Sequence, residues 1–262
     1  MTISKDLIQL HEGLIEFGSI IQSISAKKFE KEQHIESNVH AVFYKVTAYA
    51  ITLHRAILSL CEDGWTHISP MLLRTIIECS SNCLTIVNNK LPEYMAFKYL
   101  YYEYLKIYQD KTSSDELKKK NLSDIKQGLT HIKKTSAKKA TEDFIKAEQL
   151  GIFWFRPEEN NIISIVSKYG SDELKFVYGI LSWSVHAMHL GLFAFKDDPD
   201  DVDINPCENP NKTKLAIVFS CRLLLEFLRI RCEYEGLRFG SKYNRLIERI
   251  FAFEKEVRSQ IQ

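Results

Sequence analysis

The sequence has 262 residues, 45% hydrophobic and 11% aromatic, which is enough to bury a large core in one large domain or two small ones. Its formal net charge of +1 excludes a global field that would drive the whole chain towards nucleic acid or a membrane. No stretch approaches the about 18 uncharged apolar residues of a membrane span. Six cysteines without a CxxC pair, and an N-terminus whose charges differ from those of a signal peptide, predict a reduced protein in the cytoplasm.

Apolar residues at helical spacing predict helices from the N-terminus onwards. The first is predicted over 3–26 and the second over 30–62. Ser69 followed by Pro70 is typical of a helix start, with serine as the N-cap and proline at the first helical position. This pair therefore predicts that a third helix begins there and continues to about residue 89.

Pro92 opens a fourth helix, which is rich in tyrosine. Ser113 and Glu116 form a capping box, which predicts a helical region over 114–149. Four more helices are predicted, over 161–169, 171–195, 213–236 and 242–260. The acidic, proline-containing segment 196–212 is the one clear loop, and it lacks the residue order of a calcium-binding loop, so we interpret it as solvated.

No alternating strand pattern persists along the sequence, and no Asn-Gly or Asp-Gly hairpin turn occurs. The sequence therefore predicts an all-α protein, built as a single bundle of about eight helices over residues 1–262. We expect the motif-bearing core to lie in 45–195, with a C-terminal helix pair over 213–260 packed on it.

The predicted helix over 171–195 carries a polar stripe within an otherwise apolar sequence, VYGILSWSVHAMHLGL. A helix advances about 100° per residue, so side chains three and four positions apart share one face. The stripe consists of Tyr178, Ser182, His186 and His189. Such a face is either solvated or meets polar partners inside the protein.

The helix predicted after Ser69 has a second polar stripe, made of Arg74, Glu78, Ser81, Asn82 and Thr85. This face has no lysine and mostly short side chains, unlike a typical solvated face. Arg74 and Glu78 are four residues apart and can form an ion pair. Because a buried polar group needs a hydrogen-bond partner, we predict that the two stripes face each other and enclose a polar pocket.

Short motifs in this sequence resemble those of a family of uncharacterised prokaryotic helical proteins, known only as a domain of unknown function. The motifs are RTIIEC after DGWTHISPML, a segment near a tryptophan, and the Tyr-x-x-x-Ser-x-x-x-His spacing of YGILSWSVH. The resemblance covers about residues 45–195 and gives no activity. It implies as site residues Arg74, Glu78, Trp154, Tyr178, Ser182 and His186.

The residue types in the predicted pocket select among reactions. No GxxxxGK, GxGxxG or GxSxG motif occurs, which disfavours nucleotide, dinucleotide and serine-hydrolase chemistry. A histidine near an arginine fits metal-independent cleavage of RNA, with His186 as general acid or base and Arg74 stabilising charge on the phosphate. Glu78 would orient Arg74, and Tyr178 would hold a phosphate oxygen. Further substrate-binding residues are predicted to be Asn82, Ser182, His189 and, from the resemblance, Trp154.

This hypothesis resembles the helical ribonuclease domains of prokaryotic toxins and phage-defence systems, which also pair arginine with histidine. Those domains carry both residues on one helix, whereas Arg74 and His186 are more than a hundred residues apart. Nine lysines against three acidic residues between Lys118 and Lys146 would attract an RNA backbone, although a solvated lysine face is the simpler interpretation.

Two other hypotheses stay open. In one, the pocket holds a small anionic ligand or only fixes the helices, with Arg74 and Glu78 as a structural ion pair and His186 as a core histidine. In the other, the tyrosine-rich helix mediates assembly into a homo-oligomer or contact with a partner protein. We predict no cofactor and no metal, although His186 and His189 could bind a metal together with Glu78.

Overall fold

The computed structural model describes residues 3–31, 37–146, 178, 210–238 and 240–261. Every regular element in these ranges is a helix, so the prediction of an all-α fold is confirmed. The elements are α1 Lys5–Lys31, α2 Asn38–Glu62, a 3₁₀ helix Thr66–Ile68, α3 Ser69–Val87, α4 Pro92–Gln109, α5 Asp115–Thr130, α6 Thr135–Lys146, α7 Pro210–Glu235 and α8 Ser241–Ile261. None of these described helices is long and apolar enough to cross a membrane.

Two predicted helix starts are wrong in detail. Ser69 follows the 3₁₀ helix directly and has helical dihedral angles, φ −53° and ψ −35°, so it lacks the extended conformation of an N-cap. The cap of α5 is Ser114 and not Ser113: its side chain accepts a hydrogen bond from the backbone N–H of Leu117, and its ψ of 151° is extended. The sequence allows either Ser113 or Ser114 to cap α5, and only the backbone conformation distinguishes them.

The helical region predicted over 114–149 is interrupted at residues 131–134, between α5 and α6. Both of these helices pack against α4, whose 18 residues span about 27 Å. A continuous helix over the predicted range would be about twice as long and would leave one half without a packing surface. The turn instead directs Ile132 and Ala137 into the same apolar cluster.

Residue contacts divide the chain into two compact units. The first comprises Met1–Ser25, Val46–Ser80 and Gly170–Gln262. The second comprises Ala26–Lys45 and Ser81–Tyr169. The prediction of a single domain over 1–262 stays a prediction.

The first unit has its core on the apolar faces of long helices. In α1, Leu7, Leu10 and Leu14 recur at helical spacing, and all three are buried. α7 packs along α8 and also contacts the 3₁₀ helix. Gly18 of α1 lies so close to α2 that a Cβ there would come within 2.8 Å of the Cδ1 atom of Ile51, so a larger residue would force the Ile51 side chain to shift.

The second unit is organised around the tyrosine-rich helix α4. Phe97 and Leu105 of α4, Ile125 of α5, Ile132 and Ala137 form its buried cluster. Three of the tyrosines that suggested an assembly surface, Tyr94, Tyr101 and Tyr108, pack against this cluster. The core therefore accounts for three of the six tyrosines of this helix.

Candidate functional site

The ion pair predicted from the RTIIE segment lies on α3, within the first unit. Arg74 and Glu78 are one helical turn apart, and Nε of Arg74 donates a hydrogen bond to Oε1 of Glu78 at 2.9 Å. The side chain of Arg74 is 20% exposed and that of Glu78 is 31% exposed. The pair is thus partly accessible, which distinguishes it from an ion pair sealed in the core.

Tyr178 joins this pair from the distant C-terminal part of the same unit. Its hydroxyl donates to Oε1 of Glu78 at 2.9 Å and accepts from Nε of Arg74 at 3.2 Å. The guanidinium carbon of Arg74 lies 5.2 Å from the centre of the tyrosine ring, in cation–π range. Tyr178 is only 1% exposed, so its ring forms a buried support beneath the guanidinium.

The surroundings shift the pKa values of Arg74 and Tyr178. Burial lowers the pKa of Arg74, but the hydrogen bonds with Glu78 and Tyr178 outweigh it, so the net shift of this pKa is upwards. Burial, together with the negative charge of Glu78, raises the pKa of Tyr178. Near neutral pH the site therefore consists of a permanent cation, held by a phenol that keeps its proton.

The guanidinium of Arg74 uses only one of its nitrogen atoms in these contacts. Both hydrogen bonds come from Nε, and no described residue accepts a hydrogen bond from either terminal nitrogen. Two terminal N–H groups lying side by side match two oxygens of a phosphate or carboxylate. The arrangement can therefore bind an oxyanion end-on while Glu78 and Tyr178 fix its orientation.

The other predicted site residues are not part of this described cluster. Asn82 lies two turns further along α3, in the second unit, and its Oδ1 atom is buried without a hydrogen-bond partner among the described residues. Four further predicted site residues lie outside the described part of the chain: Trp154, Ser182, His186 and His189.

A buried histidine pair in the first unit was not found from the sequence. The rings of His11 in α1 and His54 in α2 are stacked, with centres 3.7 Å apart. Nε2 of His11 donates to the backbone carbonyl of His54 at 2.9 Å, and Nδ1 of His54 is in a short hydrogen bond with Oγ of Ser220. Burial lowers the pKa of His11 and, more strongly, that of His54, so both rings are neutral near pH 7.

A second Arg-x-x-x-Glu pair, Arg231 and Glu235 on α7, was also missed. Both side chains are fully buried, and Nε of Arg231 donates to Oε2 of Glu235 at 3.2 Å. One terminal nitrogen of Arg231 also donates to Gln22 and to Thr47. The sequence places Arg231 three residues after the mostly apolar run LLLEFL, which is the signal that this pair is buried.

The described cysteines behave as small apolar residues. Cys79 and Cys83, which are one turn apart on α3, are both buried as free thiols. Burial, reinforced by the charge of Glu78, raises the pKa of Cys79 to about 12, so its thiol stays protonated. Within the described residues, no group of three His, Cys, Asp or Glu side chains is placed to hold a metal ion.

The Arg74 cluster lies in the part of the chain that matches a known protein family. A protein-family model described as a family of unknown function (DUF5677) matches residues 40–203. This range is more than half of the chain and contains Arg74, Glu78 and Tyr178. Neither the curated proteins nor the solved structures contain a match to this chain.

Proposed function

Because the chain belongs to the family of unknown function DUF5677, which brings no activity with it, we propose a function from the side chains themselves. The protein binds an anionic group, a phosphate of a small ligand or of RNA, at the guanidinium of Arg74. The observation that carries this proposal is that Glu78 and Tyr178 engage only Nε, while both terminal nitrogens lack a described acceptor.

The Arg74 cluster contributes little to the stability of the fold, which supports a role in binding. A terminal guanidinium edge without an acceptor gains nothing from the fold, and an exposed i, i+4 ion pair stabilises a helix by only about 0.3–0.5 kcal/mol. Yet Tyr178 is buried against the pair, and its hydroxyl donates a hydrogen bond to Glu78. Fixing the guanidinium before a ligand arrives lowers the conformational entropy lost on binding.

The alternative is that this cluster only fixes the helices of the first unit. The two possibilities differ in their response to lysine at position 74. Lysine retains the positive charge and a hydrogen-bond donor to Glu78, but it lacks the planar fork that grips two oxygens. A ligand site therefore loses affinity on this change, whereas a purely structural ion pair changes little.

We would measure binding by isothermal titration calorimetry, with inorganic phosphate and with an RNA of about ten nucleotides as probes. We expect Arg74→Lys to bind each probe at least about tenfold more weakly than wild type, since one bidentate contact contributes about 1.4 kcal/mol or more. Arg229→Lys is the matched control, because Arg229 also pairs with a glutamate one turn away. Equal affinity in all three proteins would overturn the proposal.

A second candidate is metal-independent cleavage of RNA, in a cytoplasmic protein of a prokaryotic defence or toxin system. The contact between Tyr178 and Arg74 favours it, because that mechanism needs the two polar stripes to meet. His186 would take the proton of a ribose 2′-hydroxyl, whose oxygen attacks the adjacent phosphorus. The 5′-oxygen would leave with a proton from water, while Arg74 stabilises the charge on the phosphate oxygens.

This candidate is tested by incubating RNA with the wild type, Arg74→Ala and His186→Ala in the presence of a chelator. We expect cleavage by the wild type and a loss of at least about a hundredfold in each variant, the usual contribution of a general base at His186 and of a charge-stabilising donor at Arg74. Thermal melts must show that each variant is folded. Cleavage that survives both changes would exclude the mechanism, and binding without cleavage in the wild type would leave anion binding as the function.

A further inference from the structure

The second unit carries a strong local concentration of positive charge. Nine lysines and three acidic residues between Lys118 and Lys146 give this segment a formal charge of +6 in a chain whose net charge is +1. The remainder of the chain is therefore negative, at −5. The lysines are Lys118, Lys119, Lys120, Lys126, Lys133, Lys134, Lys138, Lys139 and Lys146.

The fold directs these lysines towards solvent. The apolar side chains of α5 and α6, among them Ile125, Ala137 and Phe144, pack against α4 and so commit one face of each helix to the core. On the opposite side of α5, Lys119, Lys120 and Lys126 are exposed. All the lysines of the segment are exposed except Lys118, which is half-buried.

The positive charge continues from α5 through the connecting turn into α6. Lys133 and Lys134 are exposed in the turn, and Lys138, Lys139 and Lys146 are exposed on α6. Apart from Lys133, none of the nine lysines forms an ion pair with a described residue. The other eight lysines therefore hold no described carboxylate in a close ion pair, and we name the nine lysines together the lysine surface.

We propose that the lysine surface binds the phosphate backbone of double-stranded nucleic acid. Single-stranded nucleic acid is usually held by exposed aromatic side chains on which bases stack. The one aromatic residue of the segment, Phe144, instead lies edge-on to Tyr94 in the core of the second unit. A surface of lysines without a stacking platform fits a duplex, whose bases are already stacked and whose phosphates are exposed.

The apolar pattern also argues against a membrane surface as the partner. Amphipathic helices that bind membranes insert an exposed apolar face between the lipid headgroups. In α5 and α6 that face is occupied by α4, and only Leu117 among their large apolar side chains is strongly exposed.

Contacts to phosphates alone carry no sequence information, so we expect binding without sequence preference and similar affinity for RNA and DNA duplexes.

The proposal is tested by fluorescence anisotropy with a labelled duplex of about 20 base pairs, titrated at several salt concentrations. The test variant is Lys119→Glu/Lys126→Glu/Lys139→Glu. Each lost phosphate contact lowers the slope of log affinity against log salt by about 0.9, so we expect the slope to decrease by up to about three. The matched control is Lys45→Glu/Lys90→Glu/Lys255→Glu, which changes the net charge equally at exposed positions outside the segment.

The expected result is at least tenfold weaker duplex binding by the test variant and near wild-type binding by the control, with circular dichroism showing both folded. Equal weakening in both variants would mean a nonspecific charge effect and would overturn the proposal. Tighter binding to a single strand, or to vesicles of phosphatidylserine and phosphatidylcholine than to duplex, would also overturn it. The proposal is independent of the Arg74 site, and we expect Arg74→Lys to bind the duplex as the wild type does.

Discussion

Two arginine–glutamate pairs with the same spacing lie in very different surroundings within the first unit. Arg74 and Glu78 on α3 are partly exposed, and the guanidinium contacts protein groups through Nε alone. Arg231 and Glu235 on α7 are fully buried, and the guanidinium also donates from a terminal nitrogen to two further side chains. Spacing alone therefore does not determine what an Arg-x-x-x-Glu pair does.

Whether the terminal nitrogens of an arginine have acceptors inside the protein indicates the role of that arginine. A buried arginine must satisfy its donors inside the protein, because an unpaired buried charge is strongly destabilising. Gln22 and Thr47 both accept from one terminal nitrogen of Arg231, so this side chain ties α7 to α1 and α2 as a structural clamp. Arg74 has no such acceptors among the described residues and is partly open to solvent, as a ligand-binding arginine should be.

The largest effect is expected from breaking the buried pair. Arg231→Met leaves the carboxylate of Glu235 buried without its cation, and we expect the free energy of unfolding to fall by about 3–5 kcal/mol. Urea denaturation of the variant and the wild type measures this change. The double variant Arg231→Met/Glu235→Leu should recover at least half of the loss, because no charge is then stranded. A single variant as stable as the wild type would contradict the assignment of a structural clamp.

The buried histidine pair makes the stability of the first unit depend on pH. Burial depresses the folded-state pKa of His11 and His54 below 6.5, although Glu12 opposes and Arg55 assists the shift at His11. The unfolded chain therefore binds more protons than the folded one as pH falls through about 6.5, and stability decreases below that pH. Each histidine contributes a slope of up to about 1.4 kcal/mol per pH unit.

Urea denaturation between pH 7.5 and 5 measures this dependence. We expect His11→Phe, which keeps a ring stacked on His54, to reduce the slope by up to one proton. A slope identical to that of the wild type would show that His11 does not titrate with a depressed pKa.

A smaller effect on stability is expected at the Arg74 site. Tyr178→Phe removes the hydroxyl that donates to Glu78 but keeps the ring beneath the guanidinium. We expect the free energy of unfolding to fall by about 0.5–1.5 kcal/mol, the usual net contribution of one hydrogen bond. Calorimetric titration should also show weaker phosphate binding, because Arg74 loses part of its orientation. A loss as large as that of Arg231→Met would favour a structural role for the whole cluster.

The smallest effect is expected at Arg229, whose partners Glu226 and Glu233 are both exposed. Solvent screens such pairs, so Arg229→Ala should lower the free energy of unfolding by less than about 0.5 kcal/mol and leave phosphate binding unchanged. A change above 1 kcal/mol in chemical denaturation would show that exposure is a poor guide to the role of these pairs.

The helical class was accessible from apolar periodicity, and the contact between Arg74 and Tyr178 was accessible because each lies in a polar stripe that needs a partner. Apolar spacing predicted the helices, and the two polar stripes predicted that Tyr178 meets Arg74 and Glu78, which it does. The resemblance to a family of unknown function is likewise confirmed, whereas the catalytic role of His186 stays a prediction.

The features that sequence reasoning missed depend on contacts between distant segments. His11 and His54 are each a single polar residue on an apolar helix face, and only packing shows that their rings stack. Arg231 has the same spacing to a glutamate as Arg74, but its burial depends on the helices around it. The start of α5 at Ser114 differs from the capping-box prediction because neighbouring serines both fit the motif.

The most direct test of anion binding at Arg74 compares the two kinds of arginine in one sample. Protein labelled with ¹⁵N-arginine is titrated with inorganic phosphate, and the guanidinium resonances are assigned with Arg74→Lys, Arg229→Lys and Arg231→Lys. We expect the terminal nitrogens of Arg74 to shift and saturate, while those of Arg231 stay unchanged and those of Arg229 shift only weakly without saturating. Resonances of Arg74 that respond no more than those of Arg229 would contradict a binding site there.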